Sequence, residues 1–340
     1  MKTPSRIGFL FAALTILACD GSSRLPEYEL AGATMGTTFN IKVVAPPDDG
    51  AMEALRQQIR DKLDSVEMLT STYIKESELS LFNANPSTDW IDVSADLCNV
   101  IEQALTLSRE TDGAFDITVG PLVNLWGFGA EGFANQPPTT DEIQLALSRV
   151  GYQRLRTRCD VPALRKQRSD LYVDLSGWAK GYAVDQLASL LDETAFTDYL
   201  VEIGGELRAQ GLNADRHKWA IAIEKPDTAG RDIQLVLRLT GTGVATSGDY
   251  RNYFEYEGVR YSHTIDSQSG WPVSHSLAAV TVINESAATA DALATALLVL
   301  GPERGLSMAD KLGVAGYFLL RGPAGIEART TPSFDQMYKL

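Results

Sequence analysis

The chain is organised around the stretch VDLSGWAKGYAVD, residues 173–185. It opens with the end of an apolar, β-rich run (171–175), continues with the turn residues Ser176-Gly177, and then repeats apolar residues at helical spacing. The stretch therefore predicts a strand, a tight turn and a helix. A helix start offers free N–H groups and a positive dipole end, and Lys180 adds an ammonium, which together suit a phosphate beside Asp174. An ordinary strand-to-helix junction has the same pattern, so this stretch alone leaves both interpretations open.

The composition is that of an ordinary globular protein. Of its 340 residues, 44% are hydrophobic and 22% are charged, which is enough chain for one large domain or two modest ones. The formal net charge is −14, without a basic cluster. This charge disfavours electrostatic binding of nucleic acid.

The N-terminus has the pattern of a targeting segment. Two basic residues precede an apolar run at 7–17 that is too short to span a bilayer, and the run leads into Ile-Leu-Ala-Cys ending at Cys19. This tetrad resembles a bacterial lipobox, with a plain secretory signal as the alternative. We expect a signal peptide at 1–18, a lipidated Cys19 with a tether at 19–30, and one domain at 31–340. Multiple acyl chains on Cys19 would anchor the protein to the periplasmic side of the bacterial inner membrane.

Two further cysteines, Cys98 and Cys159, remain in the mature chain. A disulfide between them fits an oxidising compartment, whereas Cys98 on a helical pattern is equally typical of a core residue. The sequence leaves both interpretations open.

Hydrophobic periodicity predicts an alternation of helices and strands. After residue 191 the chain is expected to be rich in strands, with turns at 204–206 and 246–249. The expected helices are 52–69, 97–108, 139–150, 290–300 and 302–312, and the expected strands are 35–43, 199–203, 219–223, 233–239, 253–256, 277–283 and 316–320.

Two side chains near the C-terminus are candidate metal ligands. Asp291 and Thr295 are four residues apart on a predicted helix and so share one face. A carboxylate and a hydroxyl are hard oxygen ligands of the kind that Mg²⁺ accepts. The alternative is an Asp favoured near a helix start and a Thr in the helix wall.

Among the histidines, His263 is the candidate general base. It lies in the segment 261–270, where a strand is expected to enter a turn, and loops beside strands commonly carry catalytic groups. His217 and His275 lie beside polar or turn residues and are expected at the surface. No Ser-His-Asp arrangement and no Walker A pattern is evident.

These segments, taken in order, resemble the ApbE family, the FAD:protein FMN transferases. The resemblance runs from about residue 31 to the C-terminus. It is carried by Met35-Gly36-Thr37, Ser71-Thr72-Tyr73, 77–83, 113–120, 173–185, Gly204-Gly205-Glu206, 245–250, 261–270 and 291–295.

The resemblance implies a set of site residues. Mg²⁺ would be held by Asp291, Thr295 and the main-chain oxygens of Gly177 and Ala294, and His263 would be the catalytic base. FAD would be bound by Met35, Tyr73, Ala114, Phe115, Asp116, Asp174, Lys180 and Ile265.

The resemblance also implies the reaction. FMN would pass from FAD to a Thr or Ser hydroxyl of an acceptor protein, with AMP as the leaving group. The acceptor would carry Asp-x-x-(Ser/Thr)-Gly-Ala-(Ser/Thr), typically in a subunit of a membrane redox complex. Two alternatives stay open: an FAD pyrophosphatase that uses water instead, and a non-enzymatic flavin-binding lipoprotein.

The expected fold is α+β, with mixed, largely antiparallel sheets and packed helices around a flavin-nucleotide cleft. A purely parallel Rossmann sheet is disfavoured.

Overall fold

The computed structural model of the protein describes residues 24–46, 48–132, 136–194, 196–226 and 232–338. The predicted signal peptide and Cys19 lie outside these ranges, and the lipobox stays a prediction. Within the described ranges, no helix combines the length and apolarity needed to cross a membrane.

Within the described ranges, the strands form one large sheet and three small ones. The large sheet has eight strands in the order β1-β2-β6-β7-β10-β13-β14-β15, and each neighbouring pair is antiparallel. The small sheets are β3-β5-β4, β8-β9 and β11-β12. The strands are β1 (Glu27–Thr34), β2 (Thr37–Val44), β3 (Trp90–Asp92), β4 (Leu155–Arg158), β5 (Ala163–Lys166), β6 (Tyr199–Ile203), β7 (Glu206–Gln210), β8 (Trp219–Glu224), β9 (Ile233–Leu239), β10 (Thr242–Gly248), β11 (Tyr253–Tyr256), β12 (Val259–Ser262), β13 (Leu277–Asn284), β14 (Ala315–Gly322) and β15 (Gly325–Thr330).

Eight helices are present in the described part of the chain. The helix α7 packs against β10 and β13, α6 packs against β6 and β7, and α1 packs against α6. The α+β class with antiparallel sheets is therefore confirmed. The helices are α1 (Asp49–Thr70), α2 (Glu78–Ala84), α3 (Ala95–Glu110), α4 (Gly120–Leu125), α5 (Thr140–Leu147), α6 (Ala179–Asp192), α7 (Ala287–Leu312) and α8 (Pro332–Met337).

The strand β13 lies in the core with both faces covered. Val280 and Val282 belong to the apolar cluster that contains the α7 side chains, while Ala279 and Ile283 belong to the cluster on the β8–β9 side. Alternate residues of a strand point to opposite faces, so one strand serves both clusters. This burial explains why β13 is a continuous apolar run instead of an alternating one.

Several element boundaries differ from the sequence prediction, and three of them change the description of the fold. The strand β1 begins at Glu27, so residues 27–30 belong to the sheet and not to the tether. The single strand expected at 35–43 is the second arm of a hairpin, whose turn is formed by Met35 and Gly36 at positive φ. The helix α5 ends at Leu147, short of the expected residue 150.

The strand predicted at residues 171–175 is absent from the structure, and that prediction was wrong. The side chain of Asn83 accepts a hydrogen bond from the Val173 N–H at 2.8 Å and donates one to the Val173 carbonyl at 2.8 Å. The Asp174 N–H donates to the Ile117 carbonyl at 2.7 Å. A side chain and a loop carbonyl thus satisfy backbone groups that a neighbouring strand would otherwise pair.

A kink divides α7 where the sequence predicts a break between two helices. Gly301 has φ +76°, and Pro302 has no N–H to donate to the Leu298 carbonyl four residues earlier. The ring Nε2 of His275 lies 2.8 Å from that carbonyl and donates in place of the missing N–H. His275 is therefore half-buried against the kink and not a surface histidine as predicted.

The helices α6 and α7 are joined at their close approach. The carboxylate of Asp185 on α6 accepts hydrogen bonds from the N–H groups of Ala287 and Ala288, at 2.9 and 3.0 Å, and from the Ser286 hydroxyl at 2.7 Å. A negative charge there also complements the positive end of the α7 dipole. Gly181 permits the contact, because a Cβ at this position would lie 2.3 Å from the Ala287 carbonyl oxygen.

We expect Gly181→Ala to lower the free energy of unfolding by about 3 kcal/mol, because the methyl group must push two helix backbones apart. Denaturant unfolding followed by circular dichroism measures the change. Gly50→Ala is the matched control in another helix, where the added Cβ meets only the Asp48 carboxylate at 3.2 Å. Equal stability of both variants would contradict the assigned packing.

Cys98 and Cys159 form a disulfide between α3 and the β4–β5 turn, with their Cα atoms 5.7 Å apart. Cys98 also packs in the core, so both interpretations of this residue are correct. The bond closes a segment with a sequence separation of 61 residues.

We expect Cys159→Ser to cost about 4 kcal/mol of unfolding free energy, because the unfolded chain regains the entropy that the crosslink removes. Thermal melts with and without dithiothreitol test this. Reductant should lower the melting temperature of the original protein and leave that of the variant unchanged; a reductant effect of the same size in both would refute the assignment.

Candidate active site

Three charged side chains from separate elements meet at one point. Lys180 from the start of α6 lies with its Nζ 2.8 Å from Glu206 Oε1, at the start of β7, and 3.8 Å from Asp291 Oδ2, on α7. Both carboxylates are almost fully buried. We call Lys180, Glu206 and Asp291 the Lys180 cluster.

The pKa values in the Lys180 cluster reflect burial and mutual charge. Burial favours the neutral form of Lys180, but the Asp291 and Glu206 carboxylates outweigh it and raise the pKa of the ammonium. Burial raises the pKa of Glu206 to about 7; Asp291 adds to the rise and Lys180 opposes it. Burial likewise raises the pKa of Asp291, against the effect of Lys180. The cluster holds two buried acids and one cation, so a second cation would be favoured there.

The predicted metal ligands lie beside this cluster. Asp291 Oδ2 accepts a hydrogen bond from the Gly181 N–H at 3.3 Å, and Thr295 Oγ1 lies 3.1 Å from the Ser247 hydroxyl. Gly177 faces Thr295, since a Cβ on Gly177 would be 3.4 Å from Thr295 Oγ1. Ala294 lies between Asp291 and Thr295 on the same helix.

The donor chemistry of this set fits a hard cation. Asp291, Thr295 and the main-chain oxygen of Gly177 supply only oxygen atoms, as Mg²⁺ requires. No donor in the described part of the chain reaches the second carboxylate oxygen of Asp291. Over the same residues no group of three His, Cys, Asp or Glu side chains could hold a metal ion, so Mg²⁺ itself stays a prediction.

The start of α6 is less open to an anion than the sequence predicts. The N–H groups of Trp178 and Ala179 both donate to the Leu175 carbonyl at 2.8 Å, and that of Gly181 donates to Asp291. The cation available to a phosphate here is therefore the Lys180 ammonium more than the helix N–H groups.

Asp174 and Tyr73 are two of the predicted FAD residues, and each contacts a neighbouring loop. The carboxylate of Asp174 accepts a hydrogen bond from the Ser176 N–H at 2.8 Å, and burial raises its pKa. Tyr73 is 67% exposed and its hydroxyl donates to the Phe128 carbonyl at 3.3 Å. Although most of the residue is exposed, partial burial of the phenol and, second, the Asp174 charge raise the pKa of Tyr73.

The three residues of the run Ala114-Phe115-Asp116 have different surroundings. Phe115 lies against the turn, because a Cβ on Gly177 would be 3.3 Å from its ring. Asp116 is occupied within its own loop, where its carboxylate accepts hydrogen bonds from the N–H and hydroxyl of Thr118 and from the Tyr152 N–H. The Asp116 side chain thus stabilises its own loop. Ala114 is buried in the core.

Met35 and Ile265 complete the predicted FAD residues. Met35 has φ +49° in the β1–β2 turn, and its N–H donates to Glu67 at 2.7 Å. Ile265 is buried with Trp126 and Leu122 and forms a β-bridge with Pro272. Among the described residues, no hydrogen bond or ion pair joins Met35 or Ile265 to the Lys180 cluster. Their roles in binding FAD therefore stay predictions.

His263 is oriented by the backbone. Its Nδ1 lies 3.0 Å from the Asn252 carbonyl, which can only accept, so Nδ1 carries the proton and Nε2 is left as the basic atom. Burial lowers the pKa of His263, the Lys180 charge lowers it further, and the Asn252 contact and Asp249 charge oppose the shift. The neutral form therefore predominates at pH 7.

An aromatic cluster adjoins His263. The ring of Phe128 meets the His263 ring edge-on at 6.3 Å between centroids, and the remaining rings stack or tilt against one another at 5.2–6.4 Å. Flat heterocycles bind well to such surfaces. The aromatic cluster consists of Trp126, Phe128, Phe254, Tyr261 and Trp271.

Sequence reasoning assigned no role to Glu206 or Ser247. Both belong to motifs that carry the family resemblance, at 204–206 and 245–250. Only the fold brings Glu206 to Lys180 and Ser247 to Thr295. The residues 246–248 lie in β10, where the sequence predicted a turn. The sequence signal that could have identified Glu206 was a carboxylate directly after Gly204-Gly205, because a rigid hairpin turn fixes the position of the residue that follows it.

Comparison with known proteins identifies the family of the chain. The profile of the ApbE family matches residues 35–318. The FAD:protein FMN transferase of Haemophilus influenzae is 40% identical over 96% of this chain and 95% of its own, and that of Vibrio cholerae is 41% identical over 96% and 97%. The crystal structure of the Pseudomonas stutzeri flavinyl transferase ApbE in its apo form superimposes with a TM-score of 0.85 at 41% identity, covering 93% of this chain and 98% of that chain.

A solved flavin transferase ApbE from Vibrio cholerae likewise gives a TM-score of 0.85 at 40% identity, covering 92% of this chain and all of that chain. The fold and these relatives thus define an enzyme of the flavin-transferase class. The chain belongs to the ApbE family.

Proposed function

We propose that this protein transfers FMN from FAD to a Thr or Ser hydroxyl of an acceptor protein, with Mg²⁺ as cofactor. One observation supports the proposal most directly. Lys180 on α6 lies beside Asp291 on α7, the helix that also carries Thr295, so a cation and hard oxygen ligands come together at one point. The names of the relatives support the flavin substrate.

Each residue has a role in this reaction. The Lys180 ammonium binds the pyrophosphate of FAD and offsets the charge that develops on it. Asp291, Thr295 and the main-chain oxygens of Gly177 and Ala294 would hold Mg²⁺. When bound, the ion would neutralise the phosphate oxygens and weaken the bond to AMP. Tyr73 and the aromatic cluster, apart from the fully buried Trp126, offer flat faces for the flavin.

His263 acts as the general base. Its free Nε2 takes the proton from the acceptor hydroxyl while the hydroxyl oxygen attacks the FMN phosphorus. A phosphorus–oxygen bond to the acceptor forms, the bond to the AMP phosphate breaks, and AMP leaves with the electron pair. A hydroxyl is a weak nucleophile, so the positioning of both reactants supplies much of the rate.

The acceptor and the location belong to the same proposal. The acceptor would carry Asp-x-x-(Ser/Thr)-Gly-Ala-(Ser/Thr) in a membrane redox-complex subunit. The protein would be anchored through Cys19 on the periplasmic side of the bacterial inner membrane. The lipobox pattern supports the anchor, and the Cys98–Cys159 disulfide suits an oxidising compartment.

Intact-mass spectrometry tests the proposal. The purified protein is incubated with FAD, Mg²⁺ and a protein that bears the acceptor motif, and EDTA is added to a parallel sample. We expect a covalent mass gain equal to FMN that EDTA prevents. Release of free FMN and AMP without an adduct would instead indicate an FAD pyrophosphatase, and FAD binding without turnover would indicate a carrier.

A further inference from the structure

The Lys180 ammonium is shared unequally between two buried carboxylates. Its Nζ makes a charge-assisted hydrogen bond of 2.8 Å with Glu206, but it stands 3.8 Å from Asp291, beyond hydrogen-bond reach. The acid that the proposed function assigns to the metal is therefore the one that Lys180 does not contact directly. Glu206, which has no role in the proposed reaction, makes the direct contact with the ammonium instead.

The β6–β7 hairpin is shaped to hold Glu206 in this position. Its two-residue turn is formed by Gly204 at φ +60° and Gly205 at φ +108°, a conformation that favours glycine. The turn packs on the Lys180 stem, because a Cβ on Gly204 would lie 3.3 Å from Lys180 Cδ. Glu206 follows the turn directly and is only 4% exposed.

Glu206 also has spare hydrogen-bonding capacity. Its Oε2 is buried, and in the described residues no donor reaches it. A buried charge without full pairing is costly, so the position is not explained by stability alone. A role toward the neighbouring ammonium accounts for the placement.

We propose that Glu206 is a positioning residue that holds the Lys180 ammonium away from Asp291 and so leaves the Asp291 carboxylate free for a divalent cation. This inference rests on the proposed function, which assigns Asp291 to the metal. Lysine has a flexible stem and a compact charge. Without Glu206, the carboxylate that remains near the ammonium among the described residues is Asp291. Lys180 then competes with the cation for it.

Calorimetric titration of the FAD-free protein with MgCl₂ tests the inference without depending on turnover. Glu206→Gln keeps the shape of the side chain and removes its charge. We expect its dissociation constant for Mg²⁺ to rise about tenfold, which corresponds to about 1.4 kcal/mol. Glu206→Asp keeps the charge and should stay within about threefold of the original protein.

Three further variants separate competition from simple loss of nearby negative charge. Lys180→Met removes the competitor and should bind Mg²⁺ more tightly than the original protein. Adding Glu206→Gln to Lys180→Met should then cause no further weakening. Glu202→Gln is the matched control, because Glu202 lies on the same hairpin and accepts a hydrogen bond from the Gly205 N–H without touching Lys180.

Unchanged Mg²⁺ affinity in Glu206→Gln would overturn the inference. So would a tenfold loss that persists in the Lys180→Met background, because the effect would then come from charge at a distance. If Glu206→Gln does not fold, weaker Mg²⁺ binding by Lys180→Met alone would refute it. An original protein that binds no Mg²⁺, with or without FAD, would refute the proposed metal site itself, which is a separate and recognisable result.

Discussion

Asp291→Asn is expected to reduce FMN transfer by at least about a thousandfold while the protein stays folded. Asparagine has the same shape, but it lacks the negative charge that the proposed cation requires. Burial raises the pKa of the Asp291 carboxyl, which means that the folded protein disfavours its charged form. Keeping this carboxylate charged therefore lowers the stability of the fold. Its removal should not unfold the protein.

The measurement for Asp291→Asn is the initial rate of FMN attachment to the acceptor protein, followed by intact mass. Asp310→Asn is the matched control, because Asp310 lies on the same helix α7 but is exposed near its C-terminus. The control should transfer at the original rate. A folded Asp291→Asn protein that also does so would rule out the assigned role of this carboxylate.

Replacement of His263 by glutamine is expected to slow transfer by about 10² to 10⁴, the usual contribution of a general base. Glutamine retains hydrogen-bonding capacity but cannot take a proton near neutral pH. His217→Gln is the matched control, since His217 is exposed and away from the site. Transfer by His263→Gln at the original rate would assign the base to another group.

The pH dependence of transfer provides an independent test of His263. Its pKa is lowered by burial and by Lys180. The base acts in its neutral form, which is present above the pKa and lost as the pH falls through it. Glu206, whose pKa burial raises to about 7, also titrates in this range, so the rate is measured at saturating Mg²⁺ and FAD. Under those conditions the rate should hold through pH 7 and fall only below pH 6.5, the ordinary pKa of histidine. A rate that is already falling between pH 8 and 7 would contradict this assignment.

Local patterns were sufficient for most secondary-structure elements. The strands β6, β9 and β11 have the bounds that alternation predicted, because one face of each is more buried than the other. The break in α7 was predicted because Gly301 and Pro302 are local signals. The candidate residues Asp291 and Thr295 share a helix face for the same reason.

Errors arose where a distant residue satisfies the backbone. Residues 171–175 are apolar and β-rich, yet Asn83, about 90 positions earlier, takes the hydrogen bonds that would define a strand. His275 was placed at the surface because its neighbours are polar, whereas the Leu298 carbonyl that holds it is 23 positions away.

The amino-acid sequence was enough to predict the class of fold, the periodic elements, the order of the motifs and the candidate residues Lys180, Asp291 and His263. These depend on interactions within a few residues or on motif order. The order of the strands, the disulfide and the distances of Glu206 and Asp291 from Lys180 became known only from the folded chain. The disulfide and the two Lys180 contacts join residues 26 to 111 positions apart, and no local periodicity encodes which of two buried acids lies nearer to the ammonium.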